Sequence, residues 1–340
     1  MKDKKIRIGI MGFGRIGRIF YTIAQNNPLI DIVAISDIGQ PEILHYLLQC
    51  DNQQNSNIRI ENNYLVSANS KTRMLQGGNP QDVPWDVLGV DVVVDATHKF
   101  CSKTQMEGHI ISGAKRVIIS ALPRDEIDRI VIVGVNDSTI KSNDKLISAG
   151  SSTTNAIGLL LKILSKDYSI DNAMMTTVHA FTSDQPLQDT VGKSFRRSRS
   201  AAENIIPNDS PTPKWIEKIM PEFKNKIEGI ALNVPIPKGS LLDTTIFLND
   251  SEASIQDIND TMIRASKQFP NSVEVIKDPI VSCDVLDNPR SILFDLSATM
   301  KSKNRIVKTL CWYDNGYSQA CRILDIILAY NCINGSEELS

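Results

Sequence analysis

Ile6-Arg7-Ile8-Gly9-Ile10-Met11-Gly12-Phe13-Gly14-Arg15-Ile16-Gly17 decides the fold of this chain. Its first half is a short apolar run of the kind that forms a buried strand. After Gly17, apolar side chains recur at helical spacing through Ile23-Ala24. Gly12, Gly14 and Gly17 stand in the order G-x-G-x-x-G between the two. A turn of that kind brings the backbone close to a pyrophosphate, which the amides at the helix N-terminus can hold. Working outward, Ile32-Val33-Ala34-Ile35-Ser36-Asp37 reads as a second strand. Asp37 follows Gly17 at the spacing of about 20 residues expected of an acid that bonds a ribose hydroxyl. A carboxylate there repels a 2′-phosphate, so the pattern favours NAD over NADP.

Helical periodicity at 41–48 and further strands predicted at 90–95, 116–120, 130–135 and 146–148 continue the alternation. The expectation is an α/β, Rossmann-type doubly wound parallel sheet. From Ser152 the pattern changes to one helix, 152–165, and then longer strand-like runs at 172–180, 226–234, 244–248, 272–276, 291–295 and 305–312. These predict a second, α+β domain with a mainly antiparallel sheet. Residues 181–213 have no clear period apart from a helical stretch near 200–204; a loop of that length is usually functional or interfacial. The resulting division is 1–151 as an NAD-binding domain, 152–317 as the second domain, which the resemblance given below makes the catalytic one, and 318–340 as a C-terminal helix packing back on the first.

At 340 residues the chain is long enough for two such cores. With a formal net charge of -2, it gives no electrostatic reason to expect nucleic acid or an anionic membrane as a partner. The short basic run Arg196-Arg197-Ser198-Arg199 reads as a solvated or ion-paired loop. No apolar run approaches the roughly 18 residues of a membrane-spanning helix, and the opening residues lack a signal peptide's apolar region and cleavage site. Cys50, Cys101, Cys283, Cys311, Cys321 and Cys332 are scattered, with neither a CxxC pair nor metal-ligand spacing. Reduced thiols in a cytoplasmic protein without a metal are the expectation.

Three segments carry a resemblance that spans essentially the whole chain. They are Ile8 through Arg18, Ala114-Lys115-Arg116-Val117-Ile118-Ile119-Ser120-Ala121, and Trp312-Tyr313-Asp314-Asn315. To these is added Ser148-Ala149-Gly150-Ser151-Ser152-Thr153-Thr154-Asn155. Together they resemble the glyceraldehyde-3-phosphate dehydrogenase family. The resemblance implies NAD as cofactor and a small, in some members phosphorylated, aldehyde or other carbonyl as substrate, with inorganic phosphate as co-substrate. It also implies a homotetramer in which the long loop reaches a neighbour's cofactor region. By the same resemblance Gly12, Gly14, Arg15, Ile16 and Gly17 face the pyrophosphate and Asp37 the adenosine ribose. Thr97 lies beside the cofactor, and Ser120 and Asn315 serve the nicotinamide end. Ser152 and His179 take the places of the catalytic pair, and Ser151, Thr153, Thr182, Ser210 and Asn233 those of substrate and phosphate contacts.

The departures concentrate in the reactive region. The family motif has cysteine where this chain has Ser152, and arginine where it has Asn233. Met11 replaces an asparagine, His98 a glycine, Gly78 an arginine, Asn208-Asp209-Ser210-Pro211 a threonine- and glycine-rich turn, and Thr190-Val191 a Leu-Pro pair. A thiol titrating near ~8.5 supplies thiolate at neutral pH, whereas a serine hydroxyl needs a strong base oriented by a third group. No acid motif completes such a triad with His179. Losing a guanidinium removes a bidentate grip on phosphate. An engineered cysteine-to-serine change accounts for one of these positions only, so the set favours a natural divergent member. Two functions follow: an NAD-dependent oxidoreductase working on a carbonyl, or a catalytically silent NAD-binding paralogue acting through protein interactions.

Overall fold

The glycine-rich strand β1 (Ile6–Met11) takes the middle position of a nine-stranded sheet. The computed structural model describes residues 5–51, 57–68, 70–192, 194–249, 252–302 and 305–337; the ends of the predicted first and last segments, 1–4 and 338–340, lie outside them. After β1 come α1 (Arg15–Ala24), β2 (Ile30–Asp37), α2 (Pro41–Asp51), β3 (Arg59–Glu61), β4 (Tyr64–Val66), β5 (Lys71–Gln76), β6 (Val92–Asp95), α3 (Lys103–Ile111), β7 (Arg116–Ile119), β8 (Arg129–Ile130) and β9 (Leu146–Ser148). The strand order is β3-β4-β5-β2-β1-β6-β7-β9-β8. Every pairing from β5 to β8 is parallel, and β3 and β4 add an antiparallel edge. β6 is buried throughout, as is β7, the near-continuous apolar signature of a parallel strand covered on both faces.

The remaining elements are α4 (Ser152–Asp167), β10 (Ile170–Ala180), β11 (Ile206–Asp209), α5 (Thr212–Ile219), β12 (Ile227–Val234), β13 (Ser240–Leu248), α6 (Ile255–Gln268), β14 (Val273–Ile276), β15 (Ile292–Asp295), β16 (Met300–Lys301), β17 (Ile306–Tyr313) and α7 (Tyr317–Glu337). Their strands form a second sheet, ordered β11-β12-β10-β13-β17-β15-β14 with β16 beside β17. It is mixed: β10–β12 and β14–β15 run parallel, and the other pairs antiparallel. The chain divides into two compact units, one of Met1–Val131, Asp137–Ser151 and Gln319–Ser340, the other of Ile132–Asn136 and Ser152–Ser318.

α4 is the spine of the second unit. Ala156, Ile157, Leu159, Leu160, Leu161, Ile163 and Leu164 are all buried in one cluster with Leu242, Ile246 and Phe294. Each large aliphatic side chain so buried contributes roughly 1.5–3 kcal/mol, which holds the helix start in place. α3 begins at a capping box, Ser102 with Gln105, as its sequence allows.

Two predicted elements are corrected. The strand expected at 130–135 shrinks to Arg129–Ile130, because Asn136 Oδ1 accepts the Ile132 amide and Gly134, at φ +83°, turns the chain away. The helix expected near 200–204 is a turn: Ser200 donates its amide to Asp189 and its hydroxyl to the Leu187 carbonyl. Those side-chain bonds replace the helical ladder.

Candidate active site

In the first unit the cofactor candidates lie where the parallel strands end. The topological switch falls between β1 and its neighbours: β2 lies on one side and β6 on the other, with Met11 registered against both Ser36 and Asp95. Gly12 follows at φ +87°, a conformation that favours glycine. A Cβ on Gly17 would lie 2.1 Å from the Gly12 carbonyl oxygen, so this residue too must be glycine for α1 to pack on the turn. Gly14 caps α1 without a side-chain hydrogen bond, and among the described residues, its two chain neighbours aside, no heavy atom stands within 4 Å of where its Cβ would be. The N-terminus of α1, with Arg15 and Ile16 in its first turn, therefore opens onto space at Gly14, as a phosphate site requires.

Asp37, at the end of β2, accepts the Phe13 amide on Oδ2 at 2.6 Å and the Gly39 amide on Oδ1 at 2.8 Å. Each carboxylate oxygen keeps a further lone pair for a ribose hydroxyl. Thr97 follows β6 and donates its amide and hydroxyl to Asp95 Oδ1, at 2.8 and 2.6 Å. His98 adopts φ +57°, so the backbone keeps the left-handed shape a glycine would favour. Ser120 follows β7 and is 2% exposed; its Oγ has no hydrogen-bond partner among the described residues. Ser151 groups with this unit. Met11 is buried in an apolar cluster with Trp85, Val93 and Ala34, so its role is packing.

The second unit assembles the reactive candidates through a chain of contacts. Ser152 is the first residue of α4 and is buried. Thr153 Oγ1 lies 2.9 Å from the Tyr313 hydroxyl, which lies 2.7 Å from Thr177 Oγ1. Burial raises the Tyr313 phenol's pKa, against the opposing effect of hydrogen bonds with Thr153, Thr177 and Ser240. The His179 ring stands edge-on to Tyr313, centroids 6.3 Å apart. His179 Nδ1 donates to the Ala180 carbonyl at 2.6 Å. Asn233, registered against His179 across β10 and β12, donates to that same carbonyl at 3.4 Å and accepts from Asn208.

Thr182 and Ser210 are engaged elsewhere. The Thr182 hydroxyl donates to Asp184, and Ser210 Oγ accepts the Thr212 amide at the start of α5. Asn315 follows β17; its Oδ1 is buried without a partner among the described residues. Those residues include no helix long and apolar enough to cross a membrane, and no group of three or more His, Cys, Asp or Glu able to hold a metal ion.

Comparison with known proteins decides the lineage. The NAD binding domain of glyceraldehyde 3-phosphate dehydrogenase matches residues 6–103, and the C-terminal domain of the same enzyme matches residues 151–315. A glyceraldehyde-3-phosphate dehydrogenase of Mycolicibacterium smegmatis is 39% identical over 334 residues, covering 95% of this chain and 97% of its own. That of Borreliella burgdorferi is 36% identical over 331 residues, covering 94% and 98%. Glyceraldehyde-3-phosphate dehydrogenase 2 of Bacillus subtilis is 35% identical over 328 residues, covering 95% and 96%. The chain belongs to the glyceraldehyde-3-phosphate dehydrogenase family.

The first unit thus carries an NAD-binding domain of this family, and the residues present fit the dinucleotide. Among the described residues, the α1 N-terminus without a side-chain cap, the space over Gly14 and the Ser120 Oγ without a partner are features that a bound NAD would satisfy. Two residues, Tyr313 of the second unit and Gln319 of the first, have roles that sequence reasoning misses. In the sequence Tyr313 reads only as part of a signature, although its hydroxyl ties α4 to β10. Gln319 Nε2 donates to the carbonyls of Ser120, Ala149 and Gly150, clamping the loops that follow β7 and β9. A lone glutamine on a C-terminal helix carries no sequence signal for that.

Proposed function

We propose that the chain is an NAD-dependent oxidoreductase that exchanges hydride with a small carbonyl compound without a covalent intermediate. His179 exchanges the proton with the carbonyl oxygen, and Ser152 hydrogen-bonds that oxygen. The observation that carries this reading is the bond from His179 Nδ1 to the Ala180 carbonyl. A carbonyl only accepts, so Nδ1 keeps its proton and Nε2 is the nitrogen that gains and loses one. The acceptor behind Nδ1 is a neutral carbonyl where a serine triad places a carboxylate, so acyl transfer through Ser152 lacks its third group.

When bound, the nicotinamide supplies or accepts the hydride. In the reducing direction, hydride adds to the carbonyl carbon as the C=O π pair moves to oxygen, and that oxygen takes the proton from Nε2. Ser152 and the positive end of α4 favour the developing negative charge. In the oxidising direction Nε2 takes the hydroxyl proton back. Arg15, Ile16 and the three glycines are assigned to pyrophosphate, Asp37 to the ribose, Thr97 to the cofactor's flank, and Ser120 and Asn315 to the nicotinamide end. Asn233 offers no cation and is bonded within its own unit, which supports a substrate carrying less negative charge than a phosphorylated aldehyde. Ser151, Thr153, Thr182 and Ser210 remain the candidate polar contacts. A cytoplasmic homotetramer is the assembly the family resemblance supports.

NADH consumption with a panel of small aldehydes and ketones tests this, together with His179→Ala. Turnover that His179→Ala lowers about 100-fold or more supports it. No turnover in the wild type, with NAD binding intact, supports instead a silent NAD-binding paralogue.

A further inference from the structure

Trp85, His109 and Asp95 form a buried polar chain in the first unit, 0%, 0% and 2% exposed. Trp85 Nε1 lies 3.1 Å from His109 Nδ1, and an indole nitrogen can only donate. His109 Nδ1 therefore accepts, which leaves the proton of the neutral ring on Nε2. That nitrogen donates to Asp95 Oδ2 at 3.2 Å. The other carboxylate oxygen, Oδ1, takes the amide and hydroxyl protons of Thr97. Thr97 Oγ1 in turn accepts the Lys99 amide at 3.1 Å. Directions are thus fixed at every step from the indole to the turn.

The turn at the end of this chain belongs to the cofactor site. A Cβ placed on Gly12 would lie 2.7 Å from Thr97 Cγ2, so Thr97 lines the glycine turn itself. Within the Asp95-to-Lys99 segment, His98 is held at φ +57°, a shape costly for a non-glycine residue unless its neighbours are pinned. Burying three polar side chains costs more than filling the same volume with apolar ones, unless every group is satisfied. Here each is, and the last acceptor serves Thr97.

We infer that His109 is a positioning residue for the cofactor. Acting through Asp95, it holds the Thr97–Lys99 turn in the shape that receives the dinucleotide. Without the Nε2 proton, Asp95 Oδ2 is a buried carboxylate oxygen that has lost its imidazole donor. The carboxyl group is then no longer held from that side and is free to rotate, which loosens Thr97.

The inference rests on the assignment of Thr97 to the cofactor, and calorimetric titration with NAD separates the two. His109→Gln keeps an N–H near the position of Nε2, whereas His109→Met keeps volume without a donor. The dissociation constant is expected to rise about tenfold or more in His109→Met and to stay within about threefold in His109→Gln, while melting temperature falls in both. Thr97→Val is expected to weaken NAD binding on its own, and adding His109→Met to it to weaken binding no further. Unchanged affinity in His109→Met overturns the inference, as does equal weakening in both His109 variants. Unchanged affinity in Thr97→Val overturns the assignment beneath it. Nitrogen NMR of the wild-type protein gives a check that needs no variant: a protonated His109 Nδ1 overturns the inference.

Discussion

His179 Nδ1 lies 2.6 Å from the carbonyl oxygen of Ala180, the residue that follows it in β10. The ring is therefore oriented by its own strand, and Asn233 steadies the same carbonyl from β12. Nδ1 is thus held by a neutral acceptor, and its proton exchange at Nε2 is not backed by a carboxylate on that side.

His179→Ala is expected to lower carbonyl turnover about 100-fold or more while leaving the NAD dissociation constant unchanged. Asn233→Ala, which frees one donor from the Ala180 carbonyl, is expected to have a smaller effect, within about tenfold. Steady-state kinetics beside calorimetric NAD titration check both; equal losses in the two variants would show that Asn233 does more than steady the ring.

Ser152→Cys puts a thiol at the first residue of α4, where the helix N-terminus favours an anion. Its alkylation by iodoacetamide across a pH series, followed by peptide mass spectrometry, is expected to show a midpoint below the ordinary thiol value of about 8.5. Adding His179→Ala should raise that midpoint. The variant is also expected to gain phosphate-dependent aldehyde oxidation, and Asn233→Arg in the same background to increase it. A midpoint for the introduced thiol at or above the ordinary value would remove Ser152 from an anion-stabilising position.

The native thiols divide by burial. Cys50, Cys283 and Cys332 are exposed, Cys101 and Cys311 buried. Burial pushes the Cys101 thiol up to about 11, aided by the charge of Asp95 and opposed by Arg124. Burial raises Cys311 as well, with Asp295 adding to the effect. Titration with a chromogenic disulfide at a pH of about 8 should modify the three exposed thiols promptly, and Cys101 and Cys311 only after denaturant. Prompt modification of Cys101 in the folded protein would contradict its burial.

Local pattern explains why so much of the fold was legible. The glycines at 12, 14 and 17 act through backbone within one turn, and Asp37, although it also reaches back to the Phe13 amide, stands at a fixed sequence distance from them, so both survive reading in one dimension. The strands at 172–180 and 305–312 carry enough residues to show a pattern, whereas three-residue strands such as Arg59–Glu61 and Tyr64–Val66 do not. The turn at 200–204 reads as helix because nothing local reveals that Asp189 captures Ser200. The Trp85–His109–Asp95 chain is invisible for the same reason: its members meet only when β6, α3 and the loop before β6 pack together.

Asp144 joins the body of the first unit to its C-terminal helix, and its titration sets an acid limit on that unit's stability. Burial alone would raise its pKa. The Arg129 guanidinium, the Lys141 amide and the Tyr330 hydroxyl overcome that and hold it below the ordinary carboxylate value. Arg129 Nε lies 2.6 Å and Tyr330 Oη 2.8 Å from Oδ2, and the Tyr330 ring stacks under Arg116 at 4.2 Å. A carboxylate whose folded pKa is depressed stabilises the fold fully above its unfolded value, about 3.9. That stabilisation is lost as pH falls through the lower, folded value. Asp144→Ala is therefore expected to cost about 3 kcal/mol at neutral pH, and Tyr330→Phe about 1 kcal/mol. Urea unfolding at pH values of about 7, 5 and 3 should give the same wild-type-to-Asp144→Ala difference at the first two and a smaller one at the third. A difference as large in acid as at neutral pH would mean that the side chain contributes through packing rather than through its charge.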